Sequence, residues 1–531
     1  MSINNKETGS YYTPEILSDF LSDHILNNFF NEKKTIKILE PSCGDGIFVK
    51  SLIKKSNKKI SFTICDINED ELNKTLAFVR HNKTKVDRVF NDDYLKKDNE
   101  KYDLVIGNPP YISKQHLNTE QILRIGDIVK ANAGHTGEVK NIWPAFLIKN
   151  TLELNDNGVL CLVLPAELLQ VKYTESIRKY ILENFHKIEI FAFNELIFDN
   201  IEQDVIVFIG VKKRAVENNN VSFFQVQKLD DLKIPDYAEK NSNVNRKRLD
   251  KWTNYILSEE ELDFIIDVTE KLNFKKVNHY CDKAEVGIVT AANDYFISTY
   301  EKIENIGLKK FSKEILRKSN LLKNSIILDK EVFSQIISDN KPAFLIDIKR
   351  EDIHHKVVKD YLSTGVELEI SGRYKMKKRN NWYEIPSTWS SDIFFVKRCH
   401  LYPKLIYNPE NYLLTDSFYR IIMKKEYNVE HFVYSFYNTL TFIYAELEGR
   451  FYGGGVLELT PNEFKKVYMP YIDNGNLNEL NLKFKSKNDI EAILKFNDEI
   501  ILKNLNADER EKLTSIWKKL FHRRLKSTPL V

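Results

Sequence analysis

In Tyr102-Asp-Leu-Val-Ile-Gly-Asn108-Pro-Pro-Tyr111-Ile112 an apolar run stops at Gly107 and gives way to an asparagine, two prolines and an aromatic. A short apolar segment bounded by turn residues is the pattern of a strand buried on both faces, as in parallel sheets. Asn108 then stands at the carboxyl end of that strand, where open α/β sheets bind their ligands. Pro109 and Pro110 stiffen the backbone and offer carbonyls without N–H donors, and Tyr111 adds an aromatic face.

Acceptors beside an aromatic face suit a flat heterocycle held through an exocyclic amino group. Such an amine, as in adenine, is a poor nucleophile because its lone pair is delocalised into the ring. With the Asn108 side-chain oxygen and the Pro109 carbonyl each accepting one amine hydrogen, the nitrogen can pyramidalise and attack without a strong base. Acceptors already in place stabilise the positive charge that develops on nitrogen, an oxyanion hole with inverted sign. Tyr111 is expected to stack on the base, a contact worth roughly 1–3 kcal/mol. Taken alone, the tetrapeptide reads equally as a rigid strand-ending turn. The flanking segments tip the balance.

Upstream, Thr13-Pro14 reads as N-cap and first position of a helix over residues 15–29, with Ile16, Leu17, Phe20, Leu21 and Ile25 on one face. The loop beginning at Thr8 is expected to lie over a bound ligand. Next, Ile36-Lys-Ile-Leu-Glu40-Pro41-Ser-Cys43-Gly44-Asp45-Gly46 has the strand, glycine turn and helix order of a nucleotide-binding βα unit. It lacks the third glycine of the dinucleotide fingerprint, and Glu40 and Asp45 flank the turn. Acids there repel a pyrophosphate and suit a ligand with positive charge. A second strand ends at Asp66, placed to bind both hydroxyls of a ribose. A third, over residues 86–90, leads to Asp93, positioned to accept from an adenine amine while Tyr94 or Ile67 packs on the ring. Strands over 158–164, 188–193 and 204–211 bring the count to seven, the last two as an antiparallel hairpin. Phe198 between them is either a second aromatic wall for a base or a core residue under a loop.

The chain has 531 residues, which predicts two or three domains at ~100–200 residues each. With 42% hydrophobic and 29% charged residues and no apolar run of membrane-spanning length, it reads as a soluble globular protein with no membrane partner. Its first residues show no secretory pattern, so a cytoplasmic location is expected. The five cysteines are scattered and form no CxxC pair, which predicts neither disulfides nor a metal site. A net charge of +3 does not discriminate, since a nucleic-acid binder can be basic on one face alone.

With these residues in order, the chain resembles the class I S-adenosylmethionine-dependent DNA methyltransferases, and specifically the gamma-class adenine-N6 enzymes of type II restriction-modification systems. The order of a Thr-Pro loop, a glycine turn and then Asn-Pro-Pro-Tyr is theirs. This resemblance implies an α/β fold: a Rossmann-like, seven-stranded methyltransferase domain over residues 1–215, a boundary region over 216–255, an α+β target-recognition domain over 256–480 and C-terminal helices over 481–531. It implies S-adenosylmethionine as cofactor, with Thr13 and Pro14 covering its methionine end and Glu40, Pro41, Cys43 and Gly44 lining that end. Asp66 is then the ribose ligand, Asp93, with Ile67 and Tyr94, the adenine site, and Asn108, Pro109, Pro110 and Tyr111 the catalytic turn. Phe198 is the implied second contact to the target base, which must be flipped out of double-stranded DNA to reach the turn. A cognate restriction endonuclease, acting separately, is the implied further partner.

The second half is less patterned. Residues 286–296 and 450–461 resemble elements of the C-terminal domains of gamma-class enzymes. Between them Arg373, Lys375, Lys377, Lys378, Arg379, Lys397 and Arg398 are interleaved with aromatics, a composition suited to phosphate contacts and base packing. The helical end, with Lys518, Lys519, Arg523 and Arg524, reads as a partner surface, a phosphate clamp or a packed terminal helix. Because the motifs start almost at residue 1, neither a fused nuclease nor a long helical domain is expected before them, which favours a single-chain modification enzyme. The alternatives are the modification subunit of a multi-subunit system, an RNA adenine-N6 methyltransferase and, more distantly, a glutamine methyltransferase or a non-catalytic DNA binder.

Overall fold

A computed structural model of the chain describes residues 13–134, 138–193, 197–198, 204–213, 220–234, 243–244, 252, 257–452, 455–486 and 489–525. Residues 8–12 of the expected ligand-covering loop lie outside them. The chain forms two compact units, one running to Glu260 and the other built from residues 261–451 and 455–525.

The first unit is organised on one sheet. Its elements are α1 (Glu15–Phe29), β1 (Thr35–Glu40), α2 (Ile47–Lys55), β2 (Lys59–Cys65), α3 (Glu69–His81), β3 (Lys85–Phe90), β4 (Tyr102–Gly107), α4 (Thr119–Ala133), α5 (Trp143–Leu152), β5 (Leu154–Pro165), α6 (Glu175–Asn184), β6 (Phe185–Phe193), β7 (Val205–Lys212), β8 (Asn220–Val226) and β9 (Asn243–Val244). The strand order is 3-2-1-4-5-7-6-8-9, with β7 antiparallel to both β5 and β6. From Val159 to Leu164 every residue of β5 is buried, which is why this strand carries no polar alternation. Gly46, at φ 76°, lets the glycine turn run into α2; a Cβ there would meet the Thr75 hydroxyl at 2.4 Å.

Two expectations change. The sheet has nine strands and not seven, because β8 and β9 extend it beyond β6. Phe224 of β8 stacks on Phe191 of β6 with ring centroids 4.4 Å apart, beside a parallel ladder that pairs Asn220–Val226 with Lys187–Phe193. The helix α1 begins at Glu15 with Pro14 before it and no side-chain cap, so Thr13 does not serve as the N-cap.

Of the readings left open for the helical C-terminus, the second unit decides that of Arg524. In the second unit a four-stranded antiparallel sheet joins Cys281–Val286, Phe418–Met423, Ile393–Val396 and Leu405–Tyr407. The helix Ala507–Leu525 packs into the same unit through Arg524, whose buried guanidinium donates to both oxygens of Glu446 (2.9–3.0 Å) and to the Leu401 carbonyl at 3.2 Å. Arg524 is therefore part of a packed terminal helix and not of a phosphate clamp. Among the described residues no helix is long and apolar enough to cross a membrane.

One tie within the first unit gives a pH-dependent prediction. His24 of α1 and Glu189 of β6, both buried, meet at 2.7 Å, with Lys187 at 3.1 Å from the same carboxylate. Burial pushes the Glu189 carboxyl up, but the His24 hydrogen bond and the His24 and Lys187 charges outweigh it and hold it below its ordinary value. A depressed carboxylate stabilises the fold above its unfolded pKa and loses that stabilisation as pH falls through the folded value. Glu189→Gln is thus expected to destabilise by about 1–3 kcal/mol at neutral pH. Denaturant titrations should show the gap closing as pH falls below the ordinary carboxylate value of 4.5.

Candidate active site

Strand order reverses between β1 and β4, and open α/β sheets bind ligands at such a switch point, beyond the carboxyl ends. Here β1 ends in Glu40 and β4 leads into Asn108, with Leu39 paired to Val105. Ser42, in the glycine turn, donates its hydroxyl to the Asn108 carbonyl at 3.1 Å and ties the two loops together.

A cavity opens there, lined among others by Thr13, Glu40, Pro41, Cys43, Gly44, Asp66, Ile67, Asp93, Tyr94, Asn108 and Pro110. Residues singled out in five separate stretches of sequence thus share one space. Pro14, Pro109, Tyr111 and Phe198 do not line it. Pro14 instead starts α1 through its carbonyl, and Phe198 is buried at 5% exposure.

The cavity wall is acidic. Glu40, Asp45, Asp66, Glu71, Asp92 and Asp93 all contribute, and no lysine, arginine or histidine occurs among the described lining residues. Glu40 is fully enclosed, and among the described residues its Oε2 has no hydrogen-bond partner. Burial, then the charges of Asp45 and Asp66, push its carboxyl well above the ordinary range. A buried acceptor without a donor is costly, and a cationic donor entering the cavity relieves it. Burial also pushes the Cys43 thiol far up, which removes it as a nucleophile.

Asp66 is held on both oxygens: Gly44 N donates to Oδ2 at 2.7 Å and Asn68 N to Oδ1 at 2.8 Å. Gly44, at φ 50°, gives the turn the left-handed geometry in which its N–H meets that carboxylate. Burial raises the Asp66 carboxyl and the two N–H groups counter it. Each oxygen keeps a further lone pair for a ligand hydroxyl. Ile67 follows at 72% exposure, an apolar side chain displayed at the cavity.

Asp93 takes Leu95 N on Oδ1 at 3.0 Å and Arg124 on Oδ2 at 3.1 Å. Arg124 rides on α4, and nothing in its sequence context distinguishes it from a solvated helix residue. Tyr94 is buried, its hydroxyl donating to Asn150 Oδ1 at 2.6 Å, and its ring lies 5.3 Å from that of Phe146, which also lines the cavity. Neither Phe146 nor Ser42 was legible as a site residue in the sequence.

At the Asn108–Tyr111 turn the Asn108 amide nitrogen donates to the Thr13 hydroxyl at 3.4 Å, and the Tyr111 hydroxyl lies 2.9 Å from both Asn108 Oδ1 and the Val163 carbonyl, to which it donates. The one phenolic hydrogen is thus shared between two carbonyl oxygens, which leaves Asn108 Oδ1 with acceptor capacity to spare. Tyr111 itself is 8% exposed and fixed through its hydroxyl to β5.

In the second unit the basic run divides. Arg373, Lys375, Lys377 and Lys378 are exposed. Arg379 is not available for a phosphate: its guanidinium donates to the carbonyls of Val289 (3.1 Å), Thr290 (2.8 Å) and Trp382 (3.2 Å). Arg398 is paired with Glu458 at 2.5 Å, and Lys397 is half-buried.

Residues 22–198 match the family model described as Eco57I restriction-modification methylase, and residues 249–502 match that described as type II methyltransferase M.Eco57I, C-terminal domain. Over both stretches the chain is similar to the Eco57I-type restriction-modification methylases. Type II methyltransferase M.AccI of Acinetobacter calcoaceticus is 23% identical over 526 residues, covering 95% of this chain and 92% of that protein. Type II methyltransferase M.BanIII of Aneurinibacillus aneurinilyticus is 25% identical over 501 residues, covering 81% and 83%. Among solved structures the chain is similar to the Type IIL restriction-modification enzyme MmeI, described in complex with DNA, with a TM-score of 0.55 and 11% identity over 97% of this chain and 74% of that one. At that identity the likeness shows the fold alone.

Proposed function

We propose that this methylase transfers a methyl group from S-adenosylmethionine to N6 of an adenine flipped out of double-stranded DNA, as a single-chain type II modification enzyme. The observation that carries the reading is the acid-walled cavity that ends at Asn108. Six carboxylates and an unpartnered buried Glu40 oxygen disfavour a polyphosphate ligand and fit one with a positively charged amino-acid end. When bound, S-adenosylmethionine supplies an electrophilic methyl carbon on a sulfonium sulfur. Asp66 holds ribose hydroxyls with its remaining lone pairs, Ile67 packs on the adenine ring, and Asp93 accepts from its amine. Asn108 Oδ1 and the Pro109 carbonyl each accept a hydrogen of the target amine and stabilise the charge that develops there. The remaining work is alignment of nitrogen with methyl carbon, which the rigid Pro-Pro turn supplies.

Asp66→Ala is expected to weaken S-adenosylmethionine binding roughly 10- to 100-fold, the effect of losing charge-assisted hydrogen bonds, as titration calorimetry would read it. The reaction itself is tested by labelled methyl transfer to duplex DNA followed by nucleoside analysis. Label in N6-methyladenine supports the reading. Label in a methylated cytosine, or in RNA but not DNA, overturns it.

A further inference from the structure

We propose that Tyr374 is the side chain through which the second unit packs on the bases of its DNA, while Lys375, Lys377 and Lys378 beside it hold phosphates. The inference rests on duplex DNA being the substrate. The segment around Tyr374 is built in two directions at once. Inward, Ile370, Met376 and Ile385 are buried in one apolar cluster with Ile288 and Phe296, and Arg379 clamps the carbonyls of Val289 and Thr290. Successive backbone turns, Arg373 N to Ile370 O (3.2 Å), Met376 N to Arg373 O (2.9 Å) and Arg379 N to Met376 O (3.0 Å), fix what lies between.

Outward, the same turns display Tyr374 at 73% exposure, the highest among the exposed large apolar and aromatic side chains of the described residues. Lys378 Nζ stands 4.3 Å from the centre of its ring. None of Lys375, Lys377 and Lys378 is paired with a carboxylate among the described residues. A tyrosine left in water on a core-anchored turn, with the Lys378 ammonium over one side of its ring and Lys375 and Lys377 exposed close by in the chain, has the composition of a nucleic-acid contact: a stacking face for a base and ammonium groups for the backbone. Few torsions remain to be frozen when it docks, so the contact is pre-organised.

The division of labour gives different signatures for the ring and the charges. Steady-state methylation by the full chain on a duplex carrying its target sequence is expected to show Tyr374→Ala with a KM for DNA raised roughly tenfold or more and an unchanged KM for S-adenosylmethionine. Tyr374→Phe should restore the wild-type value. The salt dependence of DNA affinity should keep its slope in Tyr374→Ala, and should fall by about 0.9 for each phosphate left without its lysine in Lys377→Ala or Lys378→Ala. Wild-type KM in Tyr374→Ala overturns the inference, as does a Phe variant as weak as the Ala variant, which would place the effect in the hydroxyl. A wild-type chain that transfers no methyl group to DNA removes the substrate itself, and so separates failure of the underlying reading from failure of the Tyr374 assignment.

Discussion

Asn108→Ala is expected to lower methyl transfer about 100- to 1,000-fold while leaving S-adenosylmethionine affinity within a few-fold of wild type. The figure is that for loss of one preorganised partner of a developing charge, about 3–4 kcal/mol. The separation of effects follows from position. Asn108 lines the cavity at the end of β4, whereas Asp66 is anchored to Gly44 and Asn68, groups the substitution does not touch. Asn108→Asp, which keeps oxygen acceptors at the same place, should retain more activity than the alanine variant. Single-turnover rates beside calorimetric affinities check both halves. Equal loss of binding and rate would assign Asn108 to the cofactor and not to the chemistry.

The second large effect concerns stability. Glu446 and Arg524 are both fully buried, and the guanidinium donates to both carboxylate oxygens. Removing one partner strands the other charge in the interior, so Glu446→Ala is expected to destabilise the second unit by about 3–5 kcal/mol. Glu446→Gln keeps an acceptor and should cost less. Denaturant unfolding followed by the fluorescence of the unit's tryptophans would check this. A midpoint within error of wild type would mean that water reaches Arg524.

Much of the first unit was legible because its signals are local. An unbroken apolar strand such as β5, a glycine turn between strand and helix, and an acid closing β2 each follow from a few adjacent residues. What escaped the sequence depended on distant partners. The strand β8 sits in an Asn-rich context, and its place in the sheet comes from a distant partner, β6, with which it pairs in parallel and on whose Phe191 its Phe224 stacks. Thr13 has the sequence position of a helix cap, yet its hydroxyl meets Asn108 across the fold. Arg124 looks like any helix-surface arginine until the fold brings Asp93 to it. In the basic run, Lys378 and Arg379 are neighbours of the same charge, and backbone turns alone send one outward and the other onto the carbonyls of Val289 and Thr290. Charge runs report composition, and local geometry decides direction.

Adenine-N6 chemistry at Asn108 is tested most directly by base-resolved detection of N6-methyladenine in genomic DNA from a methylation-free host expressing this chain alone, beside a host expressing Asn108→Ala. Methylation of adenine at one short sequence, lost in the variant, is the predicted result. Wild-type levels of methylation in the variant, or genomic DNA without N6-methyladenine from a host holding folded protein that binds S-adenosylmethionine, would contradict the account.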